Sequence, residues 1–289
     1  MILDYETLKL IWWALIGLLL ICFALTDGFD MGVGILSPLI GHTDEERRIM
    51  LNSVGPHWEG NQTWLVTAGG ALFAAWPLVY AMAFSGFYLA MMITLFALFL
   101  RPVGFDYRSK LESPKWRNSW DWGLFVGSSV PPLIFGVAFG NLFLGVPFHF
   151  DDFMRPYYTG SFVALLNPFS LLAGIISVTM FTMHGATWLQ LRTVDGLEFR
   201  ARNAAKYTAL ALFTLFALAG VSLYLYIDGY VITAMPDAGE SFSPDIKQVS
   251  MQAGAWLTNY QTWPWMMIAP ISGLVGALLV YLFSSISRP

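Results

Sequence analysis

Seven stretches of the chain are mostly apolar over about the 20 residues that a bilayer-crossing helix needs. They run over Leu10–Phe29, Trp64–Tyr80, Phe84–Leu100, Trp120–Leu144, Phe162–Leu189, Tyr207–Tyr226 and Trp263–Phe283. A short uncharged link near Pro77–Ala83 joins the second to the third, so a tight helical hairpin is expected there. The pattern predicts an all-α, polytopic membrane helix bundle of seven spans, forming a single membrane domain over residues 1–289. A secretory signal would begin with positive charge and end at a small-residue cleavage site. This chain begins with Asp4 and Glu6, and its first apolar run leads into Thr26-Asp27-Gly28-Phe29-Asp30, so it reads as a retained span.

Composition supports that picture. Hydrophobic residues make up 56% and charged residues only 12%, against about 25% charged in soluble domains. The net charge of −4 and the lack of a basic run argue against nucleic-acid binding. The single cysteine, Cys22, excludes an intrachain disulfide and a cysteine-built metal site.

Charge also gives the orientation. Sorting the loops alternately puts Arg47, Arg48, Arg101, Arg108, Lys110, Lys115, Arg117, Arg192, Arg200, Arg202, Lys206 and Arg288 on one side. Lys9, Arg155 and Lys247 fall on the other. Loops rich in Lys and Arg stay in the cytoplasm. The N-terminus is therefore expected outside and residue 289 in the cytoplasm. Two outer loops are sizeable, Val146–Ser161 and Asp228–Gln261. Trp12, Trp120, Trp263 and Trp265 lie near span ends, where amphipathic aromatics favour the interface.

Ionisable residues inside hydrocarbon are costly and mark function by default. Asp27 and Asp30 are three apart, so on a helix they share one face. The apolar segment continues through Met31–Ile40, which sets Asp30 roughly 15 Å from its inner end if the helix continues. The second segment carries His57-Trp58-Glu59-Gly60-Asn61-Gln62. Glu59, counted from Arg48 as helix, reaches a similar depth, with distortion expected at Pro56 and Gly60. Arg101 ends the third span before Pro102, and Asp106, Arg108 and Lys110 follow. Buried acids with charged groups at the mouth read as a proton-conducting cluster. Arg101 alone reads as the neutralising partner of Asp27 or Asp30.

His57 and His184 are the histidines at membrane depth, and two such residues on different helices can bracket a haem iron. The simpler expectation for His57 is a hydrogen bond to Glu59 or to a backbone carbonyl. No histidine pair has the spacing of a metal site on one helix, and no metal site is expected. Gly28, Gly32, Gly34, Gly69 and Gly70 are expected at close helix contacts, since small residues let backbones approach in lipid. No phosphate loop or nucleophile elbow is present.

Several whole strings resemble subunit II of the cytochrome bd-type quinol oxidases. They include Ile11-Trp12-Trp13, Thr26-Asp27-Gly28-Phe29-Asp30-Met31-Gly32, Glu46-Arg47-Arg48 and His57-Trp58-Glu59-Gly60-Asn61-Gln62. Further matches are Ala68-Gly69-Gly70-Ala71-Leu72-Phe73-Ala74-Ala75-Trp76-Pro77, Phe84-Ser85-Gly86-Phe87-Tyr88 and Arg101-Pro102-Val103-Gly104-Phe105-Asp106-Tyr107-Arg108. Pro131-Pro132, Gly136-Val137-Ala138-Phe139-Gly140-Asn141, Ile227-Asp228-Gly229-Tyr230 and Gly254-Ala255-Trp256 extend the likeness over essentially the whole chain.

The resemblance implies a haem-free subunit of an enzyme of the bacterial inner membrane that oxidises quinol and reduces dioxygen to water. It implies a heterodimer with subunit I, which carries haem b and haem d. A small accessory subunit and a structural quinone occur in some members. By position, Glu59 matches the membrane-embedded acid of a proton path, with Asp106 and Lys110 at its cytoplasmic mouth. Trp64 matches a residue near the dioxygen entry. Asp30, Trp58 and Arg101 match positions tied to subunit II function, and His57 is placed with Trp58 and Arg101 as structural or interfacial. The family form has nine helices, so this chain is expected to be C-terminally truncated. On the residues alone, a proton-coupled transporter is the alternative, and it would show internal inverted repeats. A scaffold whose acids only pair with Arg101 is a third reading.

Overall fold

The computed structural model describes residues 4–234 and 247–286. The expected cytoplasmic position of residue 289 and the middle of the second outer loop lie outside the described residues.

The first helix, α1 (Tyr5–Ile40), is 36 residues long, roughly 54 Å by its rise. Asp4 caps its start by accepting the Thr7 N–H, and Gly41 ends it. A capping box of Thr43 and Glu46 then starts α2 (Asp44–Asn52). Met50 and Val54 pack with Val33 and Leu36, so α2 folds back along the last turns of α1.

The second expected span differs from the pattern read in the sequence. It is two helices, α3 (Trp58–Ala75) and α4 (Pro77–Gly86). The break falls at Trp76, because Pro77 has no N–H to continue the ladder and opens a new first turn. The Pro77–Ala83 link is itself helical. Moreover α3 packs on α1 while α5 (Tyr88–Tyr107) packs on α6 (Pro114–Leu144), so the two do not form a tight hairpin. Helix α3 also starts six residues before the expected Trp64 and takes in the polar run from Trp58 to Gln62. No distortion occurs at Gly60; the irregular backbone is the turn over 53–57, which contains Pro56.

Among the described residues, six helices are long and apolar enough to cross a membrane. They are α1, α5, α6, α7 (Pro168–Arg192), α8 (Asp195–Tyr226) and the stretch Pro264–Ser285 that ends in α10 (Ile268–Ser285). Helix α3 is outside this set by composition, yet it runs from the α2 end of the bundle to the opposite end. There α4 meets the hairpin of β1 (Phe148–Phe150) and β2 (Pro156–Tyr158).

Helix α1 is central and contacts α3, α6 and α7, while α8 packs between α7 and α10. Small residues permit this. A Cβ on Gly32 would meet the Phe181 carbonyl and the backbone of Gly185 on α7. On Gly136 of α6 it would strike the backbone of Ala173 and Gly174. Gly69 and Gly70 have no such neighbour among the described residues. A second hairpin, β3 (Asp228–Ala234) with β4 (Gln248–Ala253), lies at the β1–β2 end. It is tied to the end of α6 by the Tyr230 hydroxyl donating to the Leu144 carbonyl and the Trp256 indole donating to that of Phe143. The short helix α9 (Thr258–Thr262) follows.

Candidate functional site

Asp27 and Asp30 face into the bundle from α1, at 0% and 1% exposure. Their partners differ. Arg101, near the end of α5 and 1% exposed, grips Asp27 with both terminal nitrogens, Nη1 to Oδ2 at 2.9 Å and Nη2 to Oδ1 at 2.5 Å. The guanidinium also lies over the Trp58 ring, 5.6 Å from its centroid, and Trp58 stacks on Phe105 at 5.1 Å. Bidentate pairing suits the planar guanidinium and fixes its geometry as well as its charge.

Asp30 is held by no arginine. Its Oδ2 accepts the Asn61 amide at 2.8 Å. Its Oδ1 has no hydrogen-bond partner, and His57 Nδ1 stands 3.6 Å away. The expected hydrogen bond of His57 to Glu59 is not made; the imidazole turns toward Asp30 and Asn61 instead. The reason is helical geometry: residues two apart on α3 point about 200° apart, so Asn61 faces α1 and Glu59 faces away.

Glu59, Trp64, Asp106 and Lys110 are exposed on the outside of the bundle. Within this chain they are not brought together with Asp27 and Asp30 in one cluster. The level does agree, since Asn61, half a turn beyond Glu59, reaches Asp30. That level is reached through the turn over 53–57 rather than along one continuous helix.

One buried acid escaped the sequence reading. Asp121, near the start of α6 and 1% exposed, takes Arg108 Nε at 2.5 Å and Arg47 Nη1 at 2.8 Å. Arg108 and Arg117 both reach Asp44 at 2.7 Å. Arg200 binds Glu46 at 2.5 Å and the Ile40 carbonyl at 2.8 Å. These contacts draw the first, second and third cation-rich loops to one end of the bundle. Burial works to raise the Glu46 carboxyl, but the Arg200 hydrogen bond and the His42 and Thr43 N–H groups outweigh it and hold the group below the usual range. The signal for Asp121 was available: an acid at the very edge of a span, on the side where cations crowd, needs a reason to be there.

His57 and His184 share an aromatic neighbour. Phe29 packs edge-on against both His57 and His184, each at 5.6 Å, and stacks on Trp188 at 4.2 Å. An aromatic side chain thus occupies both imidazole neighbourhoods. Among the described residues no group of three His, Cys, Asp or Glu side chains is placed to hold a metal ion.

The architecture defines a class: a polytopic helical membrane protein with ionisable side chains held inside the bundle. A family model described as cytochrome bd terminal oxidase subunit II matches residues 8–288, and the chain belongs to that family. It is 57% identical over 285 residues to the cytochrome bd-I ubiquinol oxidase subunit 2 of Escherichia coli (strain K12), across 99% of this chain and 75% of the relative. It is 54% identical, with the same coverage, to the probable cytochrome oxidase subunit 2 of Haemophilus influenzae. It is 37% identical to the cytochrome bd ubiquinol oxidase subunit 2 of Bacillus subtilis over 74% of this chain and 62% of that relative. The protein is a membrane subunit of a terminal oxidase, an oxidoreductase.

Proposed function

We propose that the chain is the haem-free subunit of a quinol-oxidising complex that reduces dioxygen to water in the bacterial inner membrane. Its partner, subunit I, carries haem b and haem d together with the quinol site. This chain stabilises that partner as a heterodimer, to which a small accessory subunit can add, and it can hold a quinone as a structural lipid. The packing of Phe29 on both His57 and His184, and of Trp188 on His57, supports assigning the haems to the partner.

The observation that carries the reading is the outward face of α3. Glu59, Thr63, Trp64 and Thr67 are all exposed there, Trp64 at 38%. The threonine hydroxyls donate to the Glu59 and Thr63 carbonyls of their own helix, but an acid facing hydrocarbon is costly, so this face meets a partner rather than lipid. Glu59 then delivers protons across the subunit boundary, with Asp106 and Lys110 at the entrance, and Trp64 borders the dioxygen route. The ion-paired end carrying Asp44, Glu46, Arg47, Arg108 and Asp121 is the cytoplasmic end, which puts the N-terminus outside. Arg101 and Asp27 hold the fold, with Trp58 as the platform beneath the guanidinium.

Glu59→Gln tests this in the assembled oxidase. Quinol turnover should fall while haem content stays normal. Unchanged turnover between pH 6 and 8 would remove Glu59 from the proton route. Reduced-minus-oxidised spectra test the haem assignment: the bands should appear when the two subunits are purified together and be missing from this chain purified alone.

A further inference from the structure

Asp30 is a fully buried carboxyl with one oxygen satisfied and the other orphaned. Burying a charge without a compensating cation is costly, and such a site is neutralised by pairing or by a proton. Arg101 does not take the pairing role here: both of its terminal nitrogens bind Asp27, and its Nε makes no hydrogen bond to Asp30. The group within 4 Å of the orphaned Oδ1 that can carry a proton is His57 Nδ1. His57 is also the member of the pair that reaches the outside, with 39% of its side chain exposed.

We propose that Asp30 and His57 form a proton-holding dyad, in which one proton moves between His57 Nδ1 and Asp30 Oδ1. At 3.6 Å the two atoms are at ion-pair separation. The proton crosses when the partly exposed ring closes that gap to hydrogen-bond length. With the proton on Nδ1, an imidazolium then donates to a carboxylate. With it on Oδ1, a carboxylic acid donates to a neutral imidazole. No other bond changes, and the second ring nitrogen exchanges protons at the open face. Asn61 aligns the pair: its Nδ2 donates to Asp30 Oδ2 at 2.8 Å and lies 3.4 Å from His57 Nδ1. Phe29 and Trp188 hold the imidazole edge-on at 5.6 and 5.7 Å, which restricts its rotation.

The charges around the dyad come from four helices. On α1 and α5 stand Asp27 and Arg101, which cancel one another. On α7, His184 lies against Phe29, and Arg192 caps the Trp188 ring at 4.5 Å. On α3, Glu59 points the other way. No unbalanced carboxylate therefore competes with Asp30 for the His57 proton. The dyad gives the complex a buried proton site apart from the exposed Glu59 face. Any part it has in turnover rests on the proton-delivery reading above, but the existence of the dyad does not.

The test is pH-stepped infrared difference spectroscopy of the purified, assembled oxidase. Comparing the wild type with Asp30→Asn isolates the carbonyl-stretch band of protonated Asp30. In His57→Gln the titration midpoint of that band should move by about one pH unit or more, a tenfold change in proton occupancy. A band whose midpoint is the same in His57→Gln means that Asp30 titrates alone, and overturns the dyad. So does the lack of any Asp30 acid band between pH 5 and 9. If Asp30→Asn fails to assemble, the difference between His57→Gln and wild type answers the same question, because the dyad requires a carboxyl band to move. The readout is independent of turnover, so failure of the Glu59 route would leave it unaffected.

Discussion

Asp27 and Asp30 lie one turn apart on the same helix, both shut off from solvent, yet their surroundings are opposite. On the α5 side, Asp27 meets a guanidinium that binds both its oxygens and is stacked in turn on an indole. On the α3 side, Asp30 meets an amide and, 3.6 Å away, a half-exposed imidazole. One arrangement suits a permanent ion pair and the other a mobile proton. The lesson is that an intramembrane acid is defined by the helix it faces rather than by its own type or depth. Two carboxylates in one motif can then divide structural and chemical tasks.

The largest effect is expected from Arg101→Met. It strands the Asp27 charge in the bundle, and breaking a buried pair from one side costs about 3–5 kcal/mol. The yield of assembled complex and its melting temperature in detergent should both drop, more than the turnover of whatever assembles. Adding Asp27→Asn in the same chain should recover most of that loss, since removing both charges together is often close to neutral. If the double variant were as damaged as the single one, Arg101 would matter through Trp58 rather than through Asp27.

A smaller effect should follow Asn61→Ala. It takes the hydrogen bond away from Asp30 Oδ2, and an unsatisfied buried acceptor costs about 1–3 kcal/mol. Thermal unfolding of the complex would show it. A loss as large as that of Arg101→Met would erase the contrast between the two acids.

The smallest effect belongs to the partly exposed Glu46–Arg200 pair at the charged end. Because the folded state holds the Glu46 carboxyl below its usual range, the pair stabilises above the ordinary carboxylate pKa. That contribution is lost as pH falls through the lowered value. Glu46→Gln should cost less than about 1 kcal/mol near neutrality and should flatten the acid limb of the stability–pH curve. Measuring melting temperature between pH 3 and 7 checks both points.

Much of the fold was legible along the chain. Spans of about 20 apolar residues and the lopsided placement of Lys and Arg predicted a polytopic bundle with its cation-rich loops at one end, and Arg47, Arg108, Arg117 and Arg200 do meet there. The α3–α4 region was misread for a physical reason. Its first turn is too polar to score as membrane helix, and only contacts with Asp30 and Phe105 make that turn acceptable inside the bundle. Asp121 was missed because it sits at the edge of an apolar run and its partners come from loops 74 and 13 residues away. Gly32 makes the close contact expected of it, whereas Gly69 and Gly70 meet none among the described residues.

By itself the sequence determined that the chain lives in a membrane, that its cation-rich loops gather at one end, and which family it belongs to. These follow from hydropathy, charge bias and residue identity, which are properties of position along the chain. Only the tertiary structure decided that Arg101 takes Asp27, that Asn61 and His57 turn toward Asp30, and that Glu59 points outward. Those outcomes depend on which faces of α1, α3 and α5 are pressed together. That is a matter of close packing at glycine contacts many residues apart, and no local pattern encodes it.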